Sequence, residues 1–193
     1  GIGQTLLGAF WLLVVKPPQS FIDAWGAAVT APIHEEVGKG LVVLLVLLLF
    51  KQLNLKNALV SGLIVGLSFQ VVEDCVYTFQ QMFTAKTDGF ATLIERIVHA
   101  GGTHWTFSLV FAVGMVAILS KNSGLSKKQG WFWLSMAVLA HFLLNTPFNA
   151  GLTSDTAEVT ILMLCFNLCL AIAAFMMVDK LEAHSKNRPV GRS

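Results

Sequence analysis

Pro32-Ile33-His34-Glu35-Glu36-Val37-Gly38-Lys39-Gly40 runs directly into Leu41-Val42-Val43-Leu44-Leu45-Val46-Leu47-Leu48-Leu49-Phe50. The second half has the composition of a helix in a lipid core. The first half sets two adjacent carboxylates, a histidine and a lysine at its mouth. A charge inside hydrocarbon costs roughly 2.5–3.5 kcal/mol on insertion scales. Four ionisable groups in that place predict partners on other helices and a chemical use.

The rest of the chain supports a membrane reading. Of 193 residues, 55% are hydrophobic and 12% charged, against about 25% charged in soluble domains. At about 20 residues per span, the length predicts an all-α polytopic bundle of about six transmembrane helices joined by short loops. We expect a single transmembrane domain over 1–180, its polar core at 32–148, and a polar tail over 181–193. A net charge of +2 gives no reason to expect a nucleic-acid partner. Cys75, Cys165 and Cys169 fall in apolar segments and read as small buried residues, not as a disulfide framework. No signal peptide with a cleavage site is visible. The chain begins in mid-pattern at Gly1, which suggests a trimmed or processed start.

In chain order, the apolar segment 2–15 is stopped by Lys16-Pro17-Pro18. Residues 20–33, with Trp25, read as an interfacial or partly inserted helix. Pro32 is then expected to start the helix that ends near Phe50, with Gly38 and Gly40 letting a neighbour approach. A helix over 58–83 carries Gly62 and Gly66 at the small-xxx-small spacing of close packing, and Glu73 and Asp74. A helix over 93–119 opens with Glu95, Arg96 and His99 and continues through His104. A helix over 131–148 opens with Trp131 and Trp133 as interface anchors and holds His141 and Asn145. Ser154 or Asp155 can cap a last helix over 157–178, and the tail from 179 is expected to be disordered. Nine of the thirteen Lys and Arg fall in the 51–57 and 121–128 loops and the tail. With six spans these lie on one side, which predicts both termini in the cytoplasm.

Without loops and tail, the polar residues are His34, Glu35, Glu36, Lys39, Glu73, Asp74, Arg96, His99, His104, His141 and Asn145. Such residues face a bundle interior and pair with one another. Lys39 is one turn from both Glu35 and Glu36 and can neutralise one of them. Adjacent residues point about 100° apart on a helix, so the two glutamates need not share a role. Glu73 and Tyr77, like His141 and Asn145, are spaced i,i+4. Arg96 and His104, eight apart, share a broad face of a continuous helix. His99 and His104, five apart, do not. The chemistry suggested is activation of water by a desolvated carboxylate acting as general base, with histidines to orient the water, hold an oxyanion or ligate a metal. Glu73, His104 and His141, with a glutamate of the first motif as base, would give three ligands and an open position, as in catalytic zinc. The His-Glu-x-x-His spacing of zincins is absent. Each residue alone reads as readily structural. Four helices each carrying an acid or histidine without structural need do not.

The residues Glu-Glu-x-x-Lys at 35–39, Phe-x-x-x-Glu-x-x-x-Tyr at 69–77, Arg96 with a histidine eight later, and His-x-x-x-Asn at 141–145 resemble the PrsW family of intramembrane proteases. That family is a branch of the superfamily of CAAX prenyl endopeptidases and Abi-type membrane proteins. The resemblance covers about 32–148. It implies that Glu35 and Glu36 are catalytic, one as the base, that Glu73, His104 and His141 complete the site, and that Asn145 polarises the substrate carbonyl. It implies as substrate a membrane-anchored protein or peptide, such as an anti-sigma factor or a peptide precursor, and a bacterial or archaeal plasma membrane as location. Members are described both as metalloproteases and as metal-independent glutamic proteases, so zinc is the candidate cofactor. The sequence departs from the pattern at Asp74, where an amide is more usual, and at His34, where an apolar residue is.

Two other classes compete. A non-catalytic scaffold of the same superfamily has no need for the full polar set. A proton-coupled transporter would use a similar relay, but the chain shows no inverted repeat.

Overall fold

A computed structural model describes residues 14–84, 88–100, 103–149 and 157–186. Six helices account for them: α1 Gln19–Leu49, α2 Leu55–Thr84, α3 Gly89–Ala100, α4 His104–Leu119, α5 Lys127–Leu144 and α6 Ala157–Lys186. No strand occurs among the described residues. The segment 2–13 and the two candidate caps, Ser154 and Asp155, lie outside them, as do the side chains of Glu95 and His99.

The bundle is built around α4, which is buried along nearly its whole length. On α2, a Cβ at Gly62 would lie 2.7 Å from the Ser108 carbonyl oxygen, and one at Gly66 would lie 2.6 Å from Trp105 Cα. These two glycines let α2 and α4 touch backbone to backbone, as their spacing predicts. On the other side of α4, Gly114 meets the backbone of Gly130 and Leu134 on α5. Val43, Leu47, Leu55, Ala58, Ala112, Val113 and Val116 fill the space among α1, α2 and α4.

The outer surface is apolar. Leu41, Leu45, Leu48, Phe50, Ile64, Val71, Leu162 and Phe175 are all exposed. Exposed apolar surface of this extent marks contact with lipid or a partner. By length and composition, α2 and α6 are long and apolar enough to cross a membrane, and α4 is a shorter apolar helix. The expected six spans are thus carried in part. α1 has 31 residues, but its middle holds Glu35, Glu36 and Lys39. At one end of the bundle Lys56 pairs with Glu182 at 3.4 Å. A cleft of ≈ 360 Å³ there is lined by Asn54, Lys56, Asn122, Ser123, Glu182 and His184. The 51–57 loop, the 121–128 loop and the end of α6 therefore share one end, as their charge predicts.

Several local expectations are corrected. Pro32 does not start a helix but sits inside α1. Two flanking side chains bond the backbone one turn before themselves: the Thr30 hydroxyl donates to Gly26 O at 2.7 Å, and His34 Nδ1 donates to Thr30 O at 2.8 Å. The helix expected over 93–119 is divided, with α3 ending at Ala100 and α4 starting at His104. The intervening Gly101-Gly102 has low helix propensity. α5 begins earlier, at a capping box in which Ser126 and Gln129 bond reciprocally, and ends at Leu144. α6 continues to Lys186, so residues 179–186 are helical, not disordered. Trp133 is buried in the core, whereas Trp131 is exposed. Gly38 faces open space, and only Gly40 meets a neighbour, the Phe111 ring. The three cysteines are free and exposed on the outer surface.

Candidate active site

Glu35 and Glu36 project from α1 into two different environments. Glu36 is fully buried. Its Oε1 accepts from Lys39 Nζ at 2.5 Å and from His141 Nδ1 at 2.9 Å, and its Oε2 accepts from the Ser108 hydroxyl at 3.3 Å. Glu35 is half-buried and faces a cavity of ≈ 190 Å³ lined also by Glu73, Tyr77, Arg96, His104, His141 and Asn145. Its Oε2 lies 3.7 Å from His141 Nε2 and 3.8 Å from His104 Nδ1. That oxygen is buried and has no hydrogen-bond partner.

The histidines come from α4 and α5. His104 opens α4, where the close approach at Gly66 presses α2 against the His104 carbonyl. Its ring contacts Phe69 and Phe107. His141 stands in the last turn of α5, stacked on Phe107 with ring centroids 4.8 Å apart. The two imidazoles meet edge to face at 5.0 Å. Because a carboxylate only accepts, His141 Nδ1 donates to Glu36, and in the neutral form of the ring Nε2 carries the lone pair, towards Glu35. Two acceptors facing each other at 3.7 Å, too far for a direct hydrogen bond, suit a bridging water or a cation.

Glu73 is placed differently from Glu35. Its Oε2 lies 3.2 Å from His104 Nε2 and accepts from Arg96 Nη2 at 3.1 Å. Arg96 Nε donates to Asp74 Oδ1 at 2.9 Å, and the guanidinium covers the Tyr77 ring at 4.2 Å. Arg96 lies on α3 and His104 on α4, so their association comes from packing and not from a shared helix face. Asp74, expected as a neighbour of Glu73, binds Arg96 and Gln70. His34 is directed to its own backbone and takes no part in the cavity.

All six sequence candidates, Glu35, Glu36, Glu73, His104, His141 and Asn145, thus line the cavity or bond to a residue that does. Two residues of the network were not foreseen. Gln70 donates to Asp74, and its Oε1 accepts from the His104 backbone N–H at 3.4 Å. Ser108 donates to Glu36. Each carried a spacing signal: Gln70 is one turn before Glu73 and Asp74, and Ser108 one turn after His104.

Three donors come close enough together to share a metal ion. Among the described residues, ligand atoms of Glu35, His104 and His141 lie within 4.8 Å of one another, and two histidines with one carboxylate are a catalytic-zinc set. The unpartnered Glu35 oxygen is one of these donors. The trio differs from the Glu73, His104 and His141 expected from sequence, because Glu73 is turned to the far nitrogen of His104 and to Arg96.

No curated protein and no solved structure matches the chain significantly. A family model described as PrsW family intramembrane metalloprotease matches residues 2–177. That match spans all four motifs and every residue of the cavity, and the chain belongs to the PrsW family of intramembrane proteases.

Proposed function

We propose that this chain is an endopeptidase of the membrane interior that cleaves a membrane-anchored protein or peptide, with Glu35 as general base. The observation that carries this reading is the buried, unpartnered Glu35 Oε2, which faces the His141 Nε2 lone pair across the cavity. A water held between them loses a proton to Glu35 as its oxygen attacks the scissile carbonyl. Glu35 then returns the proton to the leaving amine, so the carboxylate ends as it began. Asn145, on the cavity wall, polarises the carbonyl and stabilises the tetrahedral oxyanion. Glu36 holds His141 by its Nδ1, and Glu73 and Arg96 hold the far side of His104. Were His104 Nδ1 free of Lys39, Glu35, His104 and His141 would be the residues to hold a metal ion, which would supply Lewis-acid polarisation of the water, with Glu35 then a ligand and not the base.

The four ordered motifs support descent from the superfamily of CAAX prenyl endopeptidases and Abi-type proteins. The three basic segments at one end of the bundle support a multi-pass plasma-membrane protein with both termini in the cytoplasm. The same reading takes residues 1–180 as one transmembrane domain and 181–193 as a polar tail.

The test uses purified protein in liposomes with a library of single-span peptides carrying a fluorophore and quencher. Wild type is expected to cleave members of it, and Glu35→Gln and Glu36→Gln to cleave none while remaining in the membrane. Wild-type cleavage by both variants would sink the protease reading.

A further inference from the structure

Lys39 bonds both to Glu36, which holds His141, and to His104. Its Nζ lies 2.5 Å from Glu36 Oε1, 3.2 Å from His104 Nδ1 and 4.4 Å from the centre of the Phe69 ring. The side chain is 4% exposed. It is held on three sides and is not a mobile surface amine.

Hydrogen-bond chemistry then assigns the His104 tautomer. An ammonium has donors and no acceptor, and a carboxylate has the reverse. Lys39 can meet Nδ1 only by donating to its lone pair. The neutral ring must carry its proton on Nε2, where Glu73 Oε2 at 3.2 Å receives it. The Glu36–Lys39 pair thereby sets opposite tautomers on the two histidines. His141 is left with its Nε2 lone pair towards Glu35, while the one lone pair of His104 is already taken. A metal ligand must offer an unprotonated nitrogen. With Lys39 in place only Glu35 and His141 remain, one short of the three protein ligands of catalytic zinc.

We propose that Lys39 is a positioning residue that holds His104 as the Nε2–H tautomer and, by occupying Nδ1, withholds this histidine from metal. The inference rests on the site described above but not on any particular substrate. It turns the metal question for this chain into a property of one side chain.

The test uses the full chain in detergent micelles, with zinc titrated against a chromophoric chelator and histidine side chains read by nitrogen-15 NMR. A His104→Gln sample identifies the His104 resonances. Wild type is expected to show His104 protonated on Nε2 and to bind zinc weakly. Lys39→Met should bind zinc about tenfold or more tightly and lose the fixed tautomer. Lys39→Arg, still a pure donor, should keep both wild-type features. Should Lys39→Met fail to fold with Glu36 left unpaired, Lys39→Met/Glu36→Gln removes both charges and is expected to show the same gain in zinc affinity. Unchanged zinc affinity in every folded variant lacking Lys39, or a wild-type His104 protonated on Nδ1, would overturn the proposal. If tautomer and zinc behave as expected while Glu35→Gln still cleaves, the role of Lys39 stands and the base assignment falls.

Discussion

Helices α1, α2 and α4 meet at two levels, and the two are built on opposite principles. At one level Val43 and Leu47 pack against Leu55, Ala58, Ala112, Val113 and Val116. Two turns along the same α1, Glu36 and Lys39 are buried as deeply as Val43 and Leu47, but among His104, Ser108 and His141. The apolar level needs only matched volume, and no group there depends on a particular partner. At the polar level each donor must find its acceptor, because a buried polar group left alone in low dielectric is costly. One scaffold thus supports a tolerant half and an intolerant half, and the proposed chemistry lies in the intolerant one.

The contrast can be broken at several points. The largest expected effect is Glu35→Gln, which should lower the cleavage rate by about 10²–10⁴-fold with unchanged thermal melting in detergent. A parallel loss of melting temperature would make Glu35 a structural group like its neighbour. Next is Lys39→Met, which strands the buried Glu36 and should destabilise the fold by about 3–5 kcal/mol, measured by reversible unfolding in mixed micelles. At the apolar level Leu47→Ala should cost about 2–5 kcal/mol, with the cleavage rate of the folded fraction preserved. A changed rate would show that the two levels are coupled. Gly66→Ala brings a methyl against Trp105 Cα and should cost about 1–3 kcal/mol. It should also reduce activity, since the same contact seats His104. The smallest effect is expected from Lys56→Met. It breaks an exposed ion pair with Glu182 and should cost below about 1 kcal/mol, with activity unchanged. A large loss there would show that the basic end is a third structural level.

Much of this was legible in the sequence because membranes make it so. A carboxylate or imidazole inside an apolar run is conspicuous, so the residues that gather at the cavity stand out in it, and Gly62 and Gly66 announce the α2–α4 contact. Helix ends were less legible. Proline is a strong helix breaker in water, so Pro32 reads as a start, yet membrane helices tolerate proline and α1 continues through it. Arg96 and His104 face the same cavity as expected, but from separate helices and not along one continuous face. Trp133 was placed at the interface by composition, whereas the packing of α4 against α5 buries it.

The sequence alone was enough to establish a helical, membrane-embedded chain whose buried acids and histidines must converge, though not that Gln70 and Ser108 join them or that His34 stays apart. Those properties follow from the cost of charge in hydrocarbon, which acts residue by residue. Only the tertiary structure decided how the roles divide: Glu35 to the cavity, Glu36 behind His141, Glu73 to the far nitrogen of His104, and Lys39 to the near one. Glu35 and Glu36 differ by about 100° of helix rotation. Which of them faces the cavity is set by how α1 turns against α4 and α5, through contacts far apart in the chain.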